Sequence, residues 1–168
     1  MNQATRIAED ENGPRTTFDE IEIGKVLGEM DWVVTQEMID SQCHMDLDYD
    51  LWYSVDSPWR GRVAPPQISY RPPRWLLSRT YNIRGLFCRW EMENLLPIRP
   101  NVTLHITATV CEKFERKNRE FVTYQADAVD PDGHVVFRTR RTHVLDVIDA
   151  TAPRAGKGVD SGVKAERI

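Results

Sequence analysis

The segment from Trp59 to Trp90, WRGRVAPPQISYRPPRWLLSRTYNIRGLFCRW, separates two unlike parts of this chain. It carries seven arginines (Arg60, Arg62, Arg71, Arg74, Arg79, Arg84 and Arg89) and no Asp, Glu or Lys. Between Lys25 and Arg60 the balance is reversed, with eight acids and no Lys or Arg. Behind the segment, from about Leu86 to Val147, the residues follow strand rules. An apolar, helix-forming piece beside a run of antiparallel strands must cover their buried face, which suggests a sheet wrapped around it. The expected class is therefore α+β, an antiparallel sheet wrapped around one central helix.

The strand half is the clearest. Val102, Leu104, Ile106, Ala108 and Val110 alternate with Thr103, His105, Thr107 and Thr109, the period of a half-buried strand with the β-branched content that suits one. Leu86–Leu95 forms a strand before it, stopped by Pro97 and Pro100. Glu112–Asn118 makes a charged hairpin end and Phe121–Ala128 pairs back. Asp130-Pro-Asp-Gly133 is a turn, with proline second and glycine fourth, and His134–Val147 is the last strand.

Ahead of the helix, Phe18–Gly24 reads as a short edge segment or strap, and Met30–Val34 as a first strand. Thr35 can cap a short helix with Glu37 in its first turn, fading near His44 or Met45. Asp46–Pro58 follows neither period and suits a folded loop on an apolar surface. Pro66 can open the central helix, where a missing N–H costs little. Pro72-Pro73 must interrupt it, giving one broken helix or two consecutive pieces, with Arg74–Tyr81 resuming behind Pro73.

At 168 residues the chain fits one domain with a proper core, expected over 16–148 between a polar arm (1–15) and a flexible tail (149–168). A net charge of −4 and a pI near 5.6 argue against a nucleic-acid partner. Cys43, Cys88 and Cys111 are widely spaced and odd in number, which points to reduced core or near-core thiols. No apolar run reaches membrane-spanning length, so no membrane association is expected. No secretory h-region opens the chain, so a cytoplasmic location is expected. No Gly-rich phosphate loop and no metal-ligand spacing occurs, so no cofactor is expected.

Four stretches, in order, resemble the hot-dog fold and within it the MaoC-like family of (R)-specific enoyl-CoA hydratases and dehydratases. They are FDEIEIGKVLG, WVVTQEMID, RGRVAPP at the mouth of the central helix, and RWEMENLLPIRPNVTLHITATV. The resemblance covers about Thr17–Val147. It implies hydration of a 2-enoyl thioester or dehydration of a 3-hydroxyacyl thioester, on CoA or a carrier, in a homodimer or a heterodimer with another hot-dog subunit.

The same resemblance implies where the chemistry would sit, and where this chain departs. The family's loop D-x-N-P-x-H falls on Asp48-Tyr-Asp-Leu-Trp-Tyr53, placing Asp48 on the aspartate and Tyr53, or Trp52 with one gap, on the histidine. A second register uses His44-Met-Asp46. The family's A-H-G, whose backbone N–H polarises the thioester carbonyl, falls on Ala64-Pro65-Pro66, and prolines have no N–H to donate. Gln67, one residue on, could donate instead. Such a mouth resembles the degenerate N-terminal unit of two-unit dehydratases, which shapes the acyl pocket while the other unit carries the dyad.

Each candidate has a plainer reading. His44 is either a catalytic base or a helix C-terminal histidine on the dipole. Asp48 either anchors a water or receives backbone N–H groups in a turn. Trp52, Tyr53 and Trp59 either line an acyl pocket or pack the loop. Arg62 and Arg74 are candidates to grip phosphate, whereas most of the arginines are expected to pair with the preceding acids. His105 and His143 are expected to be sheet-face residues. The rival functions are thioester hydrolysis on the same fold and a non-catalytic acyl-CoA-binding module.

Overall fold

The alternation between Val102 and Val110 sets the architecture. In the computed structural model, which describes residues 15–83 and 85–145, Leu104, Ile106, Ala108 and Val110 are all buried, with Thr103, His105 and Thr107 outside. They belong to β3 (Thr103–Glu115), one of five strands with β1 (Val26–Val33), β2 (Leu86–Asn94), β4 (Glu120–Val129) and β5 (Val135–Val144). The strands form one antiparallel sheet in the order β1-β3-β4-β5-β2. Crossing to β2 at the far edge lets the sheet curl and leaves β1 and β2 as its two free edges.

Three helices accompany the sheet: α1 (Gln36–Asp46), α2 (Leu51–Ser54) and α3 (Pro72–Thr80). A 3-10 segment, Pro66–Tyr70, precedes α3. Thr35 caps α1 by accepting from the Met38 N–H at 3.2 Å, and Leu47 ends it in the left-handed region. The central helix is indeed in two pieces, because Pro72 and Pro73 cannot donate to the preceding turn. However, α3 starts at Pro72 itself, since prolines are tolerated at a helix start. It packs on β1 and β3, with Leu76 and Leu77 buried, and Thr80 Oγ1 donates to the Leu27 carbonyl at 3.0 Å. Replacing Leu76 by Ala would cost about 2–5 kcal/mol in this packing.

Several boundaries move. The first strand begins at Val26, and of the two readings of residues 18–24 the strap is the one that forms, with turns at 18–20 and 23–24. That strap is held by Gly24 N–H to the Val110 carbonyl at 2.8 Å and by Lys113, whose ammonium lies over the Phe18 ring and donates to its carbonyl. Asp46–Pro58 contains the extra turn α2. β3 runs on to Glu115, so only residues 116–119 make the hairpin end. The 130–133 turn forms, with Gly133 N–H on the Asp130 carbonyl at 3.0 Å. Cys43 is buried, but Cys88 and Cys111 are exposed. The proposed arm, except Arg15, and the proposed tail lie outside the described residues. Among the described residues no helix is long and apolar enough to cross a membrane.

Candidate functional site

At the mouth of the broken helix four chain segments converge. The first is α2, whose N-cap Asp50 accepts from the Trp52 N–H at 2.9 Å and which carries Trp52 and Tyr53. The second is the loop 56–64. It is tied to α2 by Val63 N–H on the Trp52 carbonyl at 3.0 Å, and to the β2–β3 connection by Ala64 N–H on the Ile98 carbonyl at 2.7 Å. The third is that connection, Leu95–Arg99, and the fourth is the 3-10 segment starting at Pro66. Arg99 locks the arrangement: its guanidinium donates to the carbonyls of both Trp59 and Arg60. Arg60 and Gly61 are both left-handed, with φ of 61° and 89°. A fork with two parallel donors suits two successive carbonyls.

These segments enclose an apolar pocket of about 330 Å³, walled by Trp52, Tyr53, Trp59, Pro66, Leu95 and Leu96. Trp52 and Trp59 meet edge to face at 5.4 Å between centroids, a favourable aromatic geometry. On the other side of the 3-10 segment lies a broader groove of about 780 Å³. Met38 and Met45 of α1 face Gln67, Arg71 and Trp75 across it, with Trp90 of β2 at one end.

Asp48 stands behind the apolar pocket. Its Oδ2 accepts the Tyr53 hydroxyl at 3.2 Å, and its Oδ1 faces the Asp50 N–H at 3.4 Å. Burial first, then the Asp48 carboxylate, push the Tyr53 phenol up to about 12. Tyr53 is therefore a proton donor to Asp48 at any physiological pH and not a base. His44 is exposed and its Nδ1 meets the Tyr49 hydroxyl at 3.1 Å, so His44 and Asp48 engage different tyrosines. Trp52, Tyr53 and Pro66 share the pocket, whereas Gln67 faces the groove. Arg62 and Arg74 are exposed and line neither cavity.

The expected pairing with the preceding acids does not form at Arg60, Arg62 or Arg71. Among the described residues no ion pair joins Arg60, Arg62 or Arg71 to the acids of 29–56. Several of those acids serve nearer groups: Asp40 and Asp46 accept from Gln36 and Gln42 one helical turn away, and Asp56 accepts the Gly61 N–H. Arg89 pairs with Glu91. His105 faces outward between Asp31 and Glu29, and His143 faces the core. Asp130, Asp132 and His134 bring ligating atoms within 4.8 Å of one another. Asp130, however, already accepts the backbone N–H groups of Asp132 and His134, as a turn aspartate does.

Two residues of this region escaped the sequence reading. Arg99 sits in the quoted P-I-R run, and its clamp depends on a loop about 40 residues away. Arg141 lies on β5 in step with Phe137, Thr139 and His143 and shares their inner face, but Val136, Thr142 and Val144 are buried as well, so no apolar period marked it.

No family model matches the sequence, and no curated protein resembles it in sequence. Solved structures do resemble it in fold. A MaoC-like dehydratase superposes with a TM-score of 0.65 at 21% identity over 75% of this chain and 42% of its own. The R-hydratase PhaJ1 from Pseudomonas aeruginosa gives 0.62 at 14% identity, over 78% and 86%. The HadBC (3R-hydroxyacyl-ACP dehydratase) complex from Mycobacterium tuberculosis gives 0.63 at 13%, over 73% and 96%. The chain has the hot-dog fold in the form these MaoC-like dehydratases and (R)-hydratases share.

Proposed function

We propose that this chain is a hydro-lyase subunit of MaoC-like type, shaping the acyl pocket for a second hot-dog subunit that supplies the acid–base residues. The reaction would add water across the C2–C3 double bond of an enoyl thioester, hydroxyl to C3 and proton to C2, or reverse this. The observation that carries the reading is the Asp48–Tyr53 pair. The loop position that would carry the base holds a phenol that stays protonated to about pH 12, and the carboxylate beside it is occupied by that phenol's proton. A general base needs a pKa near the working pH, and the phenol at this position, raised to about 12, does not meet that need.

The rest of the mouth supports the same division of labour. Pro65 and Pro66 offer no N–H where an oxyanion donor would stand, while Trp52, Trp59, Leu95 and Leu96 provide apolar wall. The free edge of β2, with Leu86 and Trp90 exposed, is where a second hot-dog subunit would extend the sheet. Two similar structures are compatible with a two-unit assembly. One is matched over less than half of its chain, and the other is described as a complex.

The test is the absorbance of the enoyl thioester band with crotonyl-CoA and with a longer, bulkier enoyl-CoA. The expected result is no change with this protein alone and loss of the band when a co-purifying hot-dog partner is present. Turnover by the isolated chain, abolished in Asp48→Asn, would replace this reading with a self-sufficient hydratase. Release of free thiol would indicate a thioesterase, and saturable binding without turnover under either condition a binding module.

A further inference from the structure

Pro72 and Pro73 create a specific deficit. In a continuous helix the Ser69 carbonyl would accept from the amide four residues on, or three in a 3-10 turn. Those positions are Pro73 and Pro72, and neither has an N–H. The Tyr70 carbonyl loses Pro73 in the same way, and the Arg74 N–H goes instead to the Arg71 carbonyl at 3.0 Å. Two adjacent carbonyls under the sheet are thus left without main-chain donors, a costly condition away from water.

Arg141 meets both. Its Nη1 donates to the Tyr70 carbonyl, its Nη2 lies 3.4 Å from the Ser69 carbonyl, and its Nε reaches Thr139 Oγ1 at 3.2 Å. The side chain is only 1% exposed, and among the described residues no ion pair involves it. Its charge is instead boxed by the rings of Tyr70, Trp90 and Phe87, at 5.1, 5.5 and 5.9 Å from the guanidinium carbon. Tyr70 in turn meets Trp90 and Phe87 edge to face. A buried arginine facing carbonyls and π faces, with no carboxylate, is built to satisfy acceptors.

We propose that Arg141 is the positioning residue of the helix mouth, replacing from the sheet the donors that Pro72 and Pro73 removed from the Ser69 and Tyr70 carbonyls. The 3-10 segment is then anchored at its C-terminal end by β5, and at its start by Ser69 Oγ on the Pro66 carbonyl at 2.7 Å. That anchorage sets the direction in which Pro66 meets the apolar pocket and Gln67 the groove. The assignment is independent of which reaction the site performs.

The experiment is a double-mutant cycle on the full chain, with R141K, P72A/P73A and their combination, read by urea unfolding. R141K should lower the folding equilibrium constant about ten- to hundredfold in the proline background, since a lysine lacks the planar fork and the Nε donor that let Arg141 reach both carbonyls and Thr139 at once. In the Ala-Ala background, where main-chain donors return, the loss should be under about threefold. Amide exchange should report the same contrast locally, with R141K loosening 66–71 ahead of β3 only when the prolines are present. Equal losses in both backgrounds would overturn the proposal and leave Arg141 a packing residue. If R141K does not fold, folding of R141K/P72A/P73A supports the proposal and its failure overturns it. If Ala-Ala itself is unstable, P73A alone restores the amide four residues after Ser69 and closes the cycle.

Discussion

The hydroxyl of Tyr53 donates to Oδ2 of Asp48 at 3.2 Å, across the loop that links α1 to α2. This contact couples the wall of the apolar pocket to the Asp48 carboxylate. It also determines what each group can do: the phenol is held neutral, and the carboxylate is capped by a donor that does not leave.

The coupling has a spectroscopic consequence. The Tyr53 phenol, raised to about 12 by burial and then by Asp48, should ionise later than an ordinary tyrosine. In Asp48→Asn its titration, followed by ultraviolet difference absorbance against the parent and Tyr53→Phe, should move back towards 10. The sign for stability follows: the folded state keeps a proton that the unfolded chain releases. Stability from this group is therefore present below pH 10 and lost as pH rises through about 12. An unchanged titration in Asp48→Asn would mean burial alone raises it.

His143 predicts the acid side. It is stacked on Tyr124 and tilted against Phe87, and its Nε2 has no hydrogen-bond partner. Burial, then Arg74 and Arg141, lower it to about 4. The unfolded chain takes up a proton below about pH 6.5 that the folded state refuses until about 4. Stability should therefore fall by about 3 kcal/mol across that window. Urea unfolding of the parent and His143→Phe at pH 7 and pH 4.5 should show a smaller acid loss in the variant; parallel losses would contradict it.

Arg99 should matter to the loop more than to the sheet. Arg99→Ala strips the donors from the Trp59 and Arg60 carbonyls, costing about 1–2 kcal/mol because the site is partly solvated. Limited trypsin digestion should cut after Arg60 or Arg62 several-fold faster than in the parent, with far-ultraviolet dichroism unchanged. Cleavage at the parent rate would show that the hydrogen bonds of Ala64 and Val63 hold the loop unaided.

Leu96 lies at the pocket lip and is 40% exposed. Leu96→Asp should leave the melting temperature within about 2 °C, as a substitution at a half-solvated position does. It should weaken binding of a long-chain acyl-CoA about tenfold through loss of apolar contact, measured by isothermal titration calorimetry with the partner present if one is required. A variant that binds as the parent does would place the acyl chain elsewhere, with the groove beside Gln67 as the next place to test.

How much of this could be read without coordinates depended on the range of the interactions involved. Thr35 as a cap, the turn at Asp130–Gly133, the break at Pro72-Pro73 and the alternation from Val102 to Val110 are consequences of bonding within a few residues. Each is visible as a local pattern, and their order implied a sheet around one helix; the hot-dog assignment rested in addition on the resemblance of four stretches to a known family. The pairing of the preceding acids with Arg60, Arg62 and Arg71 failed for a related reason. Charges adjacent in sequence are not adjacent once α1 and the 3-10 segment diverge across a groove, and exposed ion pairs gain too little to impose contact.

The sequence alone determined the strands, the capped helix α1 and the break ahead of α3, in their order, because periodicity, capping and proline chemistry act through the backbone at short range; the short turn α2 carried no such pattern. Tertiary structure decided the site. It brought Leu95–Ile98 against Trp52 and Trp59, set Arg99 on two carbonyls about 40 residues away, and turned Arg141 under the broken helix. Those contacts depend on how the sheet curls, and no local pattern encodes which distant carbonyl a guanidinium will find.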